Sequence, residues 1–142
     1  MASAQLLRRW VPVYEYEYDH APNPFILPSP GIDMGAFHSA ELPYVFQTTT
    51  ESSGNFTFTP AEQQLASTVS GAWARFATTG NPSGGGLTWP RLTSATGPYV
   101  VLDAPTSLAN AMKASQCGFW SSTGWTVGGK LAPKATRPTT TP

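Results

Sequence analysis

The chain has 142 residues, with eight basic and eight acidic side chains and a formal net charge of zero. That balance, without a basic run or an aromatic-interleaved basic patch, argues against a nucleic-acid partner, and no apolar run approaches the roughly 20 residues that span a bilayer. Charged residues are only 11% of the chain, and 13 glycines and 14 prolines demand many turns, which suits a loop-rich piece of a large enzyme better than a self-sufficient domain.

Residues 1–9 read as the last turns of a helix, with Arg8 and Arg9 suited to the negative end of its dipole. Met1 to Trp10 does not read as a signal peptide, because the arginines follow the leucines and no apolar core develops. Val11 to Tyr18 alternates as a strand does, with Tyr14, Tyr16 and Tyr18 on one face and Val11, Val13, Glu15 and Glu17 on the other. Pro12 sits near its start, where a missing N–H does least harm. His20, between Asp19 and a proline-rich turn, reads as an exposed loop histidine. The stretch Gly31 to Phe46 then holds out His38, one of two histidines, on a glycine-containing loop. Ser39 to Phe46 predicts a short helix capped by Ser39, with Glu41 in its first turn and Leu42, Val45 and Phe46 facing one way.

The clearest element follows. Thr59-Pro60-Ala61-Glu62 is a capping box with proline at the first helical position. Leu65, Val69, Trp73, Phe76 and Ala77 continue at helical spacing, and Gly80 before Asn81-Pro82 ends a helix over 60–79. Ser83 to Leu87 reads as a flexible linker by composition. Tyr99 to Asp103 predicts a second short strand, Leu108 to Trp120 a final helix, and residues 121–142, rich in Thr, Gly and Pro, a disordered tail.

Several of these segments carry specific patterns: G-x-x-H-x-x-E-x-x-x-x-F over Gly35–Phe46, W-x-x-F-A-x-x-G-x-P over Trp73–Pro82, then Trp89-Pro90 and Cys117-x-Phe119-Trp120. The strand at Pro12-Val13-Tyr14-x-Tyr16 fits the same order. Over about residues 5–120 the chain resembles the type-B carboxylesterases, the family of cholinesterases and para-nitrobenzyl esterases. The resemblance implies an α/β fold in which residues 1–120 form the C-terminal portion of an α/β-hydrolase, an incomplete sheet with packed helices and long loops. It implies His38 as the histidine of a Ser–acid–His triad acting on a small carboxylic ester, with no cofactor. Glu41 is then expected to shape the histidine's pocket through hydrogen bonds rather than to serve as the triad acid, which precedes the histidine in such enzymes. It also implies a bridge from Cys117 to a part of the protein outside this chain, hence an oxidising, extracellular setting.

A histidine works as general base when one nitrogen reaches a nucleophile and a carboxylate holds the other. No serine here lies in a G-x-S-x-G elbow, so this chain carries one triad member of three. Alone it is expected to be inactive, and its unpaired sheet to leave it poorly soluble or molten. Other readings of the residues stay open. Judged by composition alone, a single loop histidine such as His38 is more often a surface or packing residue than a catalytic one, and Cys117 is equally a buried free thiol beside Phe119 and Trp120. The five Trp, seven Phe and five Tyr could serve a noncatalytic binding module, and His38 with Glu41 or Asp33 could form a small self-contained site. Asn55-Phe56-Thr57 fits a glycosylation sequon. Two distant histidines and one cysteine make no metal site.

Overall fold

The computed structural model describes residues 2–21, 34–51, 54–55 and 57–124. They form two compact units, one running from Ser3 to Met112 and another beginning at Lys113. The expected tail lies almost wholly outside the described residues, as do Asp33 and the start of the histidine loop.

The first unit is organised on a three-stranded sheet. Strand β1 (Tyr16–Tyr18) pairs in parallel with β4 (Pro98–Leu102), and β4 pairs antiparallel with β5 (Ser107–Asn110). β1 is shorter than the sequence predicts, yet its neighbourhood is extended: the Val100 N–H donates to the Glu15 carbonyl and the Leu92 N–H to that of Val13. The predicted alternation holds, since Tyr14, Tyr16 and Tyr18 meet Phe76, Trp73 and Tyr44 respectively, with ring centroids 5.1–6.0 Å apart. β5 corrects the sequence reading, which put Leu108 in a helix. The four residues Asp103–Thr106 let 107–110 turn back and satisfy the β4 edge, and helix α4 (Ala114–Ser122), in the second unit, begins only after Lys113.

Helix α3 (Pro60–Thr79) covers the sheet. Both halves of the predicted capping box are present, and Gly80 closes the helix at φ +73°, its N–H donating to the Phe76 carbonyl at 2.8 Å. The buried stripe, however, is Glu62, Leu65, Ala66, Val69 and Ala72. Trp73 is half-buried, whereas Phe76 is 49% exposed and Ala77 is open to solvent. With Tyr44, Trp89, Val100 and Leu102, the apolar members of that stripe make the core.

Two connections are tighter than composition suggests. Ser83–Leu87 is an ordered turn: Gly84 and Leu87 exchange both backbone hydrogen bonds, at 2.9 and 3.0 Å, and three successive glycines take positive φ. A Cβ on Gly84 would lie 2.9 Å from the Arg75 side chain, so the glycine is required for close approach. Helix α1 (Ala2–Leu7) is present, but Arg8 does not serve its dipole; the guanidinium donates to Gln5 Oε1 and to the Thr93 carbonyl, both at 2.8 Å. Strands β2 (Thr50–Glu51) and β3 (Gly54–Asn55) pair antiparallel as a small hairpin.

Candidate active-site segment

His38 sits on a turn between the end of β1 and helix α2 (Leu42–Phe46), and it is exposed. Gly35 at φ +53° and Ser39 at φ +71° reverse the chain on either side of it. Ser39, in the left-handed region, is therefore not the helix cap the sequence predicts; Glu41 takes that place, without a side-chain capping hydrogen bond. The chain turns first, with Phe37 accepting from the Ala40 N–H at 3.1 Å and Ser39 from the Leu42 N–H at 3.2 Å, and the helix starts at Leu42 behind Glu41. Its inward face also differs from the prediction. Pro43 and Tyr44 are buried, while Leu42 and Phe46 are exposed.

Immediately C-terminal to His38 the chain is tied to the core. Ala40 is 1% exposed and its carbonyl accepts from the Tyr18 hydroxyl at 3.3 Å. Tyr44 is fully buried, its ring tilted against Phe58 with centroids 4.9 Å apart, and its hydroxyl donates to Glu62 Oε1 at 3.1 Å. Burial, reinforced by the neighbouring phenol and carboxylate, pushes the Tyr44 pKa far up; burial does the same to Tyr18.

His20 lies outside any helix or strand, as the sequence predicts, but it is not exposed. Its Nδ1 lies 2.7 Å from Asp103 Oδ1 and its Nε2 3.6 Å from Glu62 Oε1, in contact edge-on with Tyr44 at 5.3 Å. The Nε2 atom is buried and has no hydrogen-bond partner among the described residues. Glu62, only 5% exposed, also accepts the Thr59 N–H at 2.7 Å through Oε2. Burial alone would raise its pKa, but hydrogen bonds from Thr59 and Tyr44, with the His20 ring, outweigh that and hold it below the ordinary 4.5. One signal for this cluster was present in the sequence: Glu62 lies three residues before Leu65, on the buried stripe rather than off it. The approach of Asp103, 83 residues from His20, could be found only in the fold.

The predicted site residues are not joined to each other. Among the described residues no hydrogen bond or ion pair links His38 with Glu41. The Glu41 carboxylate instead stands near Tyr16, whose pKa is raised by burial and then by that charge, and borders an apolar groove of about 450 Å³ lined by Leu42, Phe46 and Trp73. Cys117 is exposed on α4, not buried against Phe119 and Trp120. Among the described residues no group of three or more His, Cys, Asp or Glu can hold a metal, and no helix is long and apolar enough to cross a membrane. In the cluster around His20 the two ring nitrogens face opposite carboxylates, the geometry of a bridge rather than of shared metal ligands.

A parallel β1–β4 pair covered by a long helix is an α/β arrangement, and the comparisons identify which one. The model of the carboxylesterase family matches residues 1–120. Cocaine esterase of Homo sapiens is 39% identical over 111 residues, covering 77% of this chain and 19% of that protein. Para-nitrobenzyl esterase of Bacillus subtilis is 34% identical, covering 77% and 21%. A solved PNB esterase structure superposes with a TM-score of 0.69 at 31% identity, covering 82% of this chain and 23% of that one. The chain belongs to the carboxylesterase family, and it spans about a fifth of the length of the curated relatives it matches.

Proposed function

We propose that this chain supplies the general base of a carboxylic ester hydrolase, with His38 as the histidine of a Ser–acid–His triad whose serine, acid and oxyanion donors lie on a catalytic body outside it. Serine attacks the ester carbonyl while His38 takes the hydroxyl proton, then returns it to the leaving alcohol as the acyl-serine forms. Water then attacks the acyl-serine with His38 again as base, releasing the acid and the free serine. Glu41, on the next turn, shapes the approach to that imidazole from the groove beside Tyr16. Without the other groups the chain is inactive, because what survives loss of a triad member depends on an oxyanion hole.

The observation that carries this reading is the contrast between the two histidines. His20 has a carboxylate on Nδ1, as a triad histidine does, but its Nε2 is buried against Glu62, where no ester carbonyl can come. His38 is exposed on a turn whose following residues are locked into the core, which leaves an imidazole free to receive a partner group without leaving it free to wander.

The test is hydrolysis of para-nitrophenyl acetate by the chain alone and by the chain mixed with a para-nitrobenzyl esterase body cut upstream of its own histidine segment. The chain alone should match buffer, and the mixture should turn over substrate. His38→Ala should lower that rate by about 10³-fold or more, whereas His20→Ala should not act through the chemical step. Turnover that survives His38→Ala would remove the proposal.

A further inference from the structure

The cluster around His20 lies outside the reacting groups, yet it ends on the segment that carries His38. Glu62 needs only one oxygen to cap α3, and Oε2 meets the Thr59 N–H at 2.7 Å. A neutral side chain would cap as well, and a buried carboxylate is costly unless paired. The second oxygen shows what the charge serves: Oε1 accepts the Tyr44 hydroxyl at 3.1 Å and faces His20 Nε2 at 3.6 Å. His20 in turn reaches Asp103 at 2.7 Å, and Asp103 is itself fixed by the Ala104 N–H at 2.7 Å. The chain of contacts therefore runs from the end of β4, across the end of β1, through the start of α3, to α2. There Tyr44, wedged between His20, Tyr18 and Phe58, is six residues from His38.

We propose that Asp103, His20, Glu62 and Tyr44 are positioning residues for the histidine-bearing segment, setting where the turn 37–41 stands on the sheet. The Tyr18 hydroxyl on the Ala40 carbonyl is a second tether, from a ring that itself packs on Tyr44 and His20. Placement within about 0.5 Å is what a reacting imidazole requires, and exposed residues on a turn acquire it only from what anchors their neighbours. The catalytic consequence rests on His38 being the base; the positioning itself does not.

Hydrogen–deuterium exchange read by mass spectrometry on the full 142-residue chain at micromolar concentration tests this. Peptides covering 37–47 report the segment, and peptides covering 65–75 report the body of α3. Tyr44→Phe and Tyr18→Phe, each removing one hydroxyl, should speed exchange across 37–47 by roughly tenfold and leave 65–75 as before. Asp103→Ala should do the same at a distance, and Asp103→Asn, which keeps an acceptor for His20, should restore most of the protection. A segment unprotected in the unsubstituted chain, one indifferent to all the variants, equal effects of Asn and Ala at 103, or equal loosening of 65–75 would each overturn the proposal. Success here with persistent ester turnover in His38→Ala would leave the positioning standing and remove only the assignment of the base.

Discussion

Glu62 shows how one residue can be set by two demands. It completes the capping box of α3 and, through its other oxygen, meets Tyr44 and His20. Because its folded pKa lies below its unfolded value, the unfolded chain binds the extra proton. Its contribution to stability is therefore complete above about pH 4.5 and fades as pH falls through the lower folded value. Denaturant midpoints measured from pH 7 down to pH 3 should show a steeper acid loss for the natural chain than for Glu62→Gln; identical slopes would mean that another group controls it. His20 carries the opposite lesson. Flanked by Asp19 and followed closely by Pro22 it looks exposed, and local sequence cannot reveal that Asp103 comes within 2.7 Å of its ring.

At the scale of elements, α3 does most to hold the unit together. Thr59→Ala removes the cap oxygen that accepts the Glu62 N–H at 3.3 Å and should cost about 1 kcal/mol. Leu65→Ala, in the centre of the core, should cost roughly 2–5 kcal/mol; a chemical denaturation series on the two variants checks both, and the reverse order would mean that the cap, not the core, limits stability. Pattern alone assigns the wrong face of α2 to the core. Five residues give little more than one turn, so helical periodicity cannot say which side faces in, and Pro43 and Tyr44 were decided by where α3 and β1 lie. Short β5 escapes sequence pattern for a similar reason: Ser107–Asn110 has little strand character of its own and is a strand because β4 offers it an edge.

Across the whole molecule, the described sheet leaves β1 as an edge strand beside exposed Tyr16, Leu42, Phe46 and Phe76. Parallel strands normally have neighbours and cover on both sides, and an apolar face beside an open edge favours self-association. The chain purified alone should therefore associate as concentration rises, seen by sedimentation and by binding of a hydrophobic dye. A monomer that stays dye-negative at hundred-micromolar levels would show that the face is content in water. The family relationship supplies the context, since the solved relatives are about four times longer than the part matched here.

The sequence by itself determined the family, through long ordered patterns around His38, Trp73–Pro82 and Trp89, and it determined α3, because capping chemistry and helical spacing are local. It singled out His38, and the absence of a serine elbow, for the same reason: both are facts of residue type and neighbour. Tertiary structure alone decided which histidine is buried, which face of α2 turns inward, that Ser83–Leu87 is an ordered turn around Arg75, and that Leu108 belongs to a strand. Each of these depends on groups distant in the chain, or on a packing partner for a segment too short to have a preference of its own.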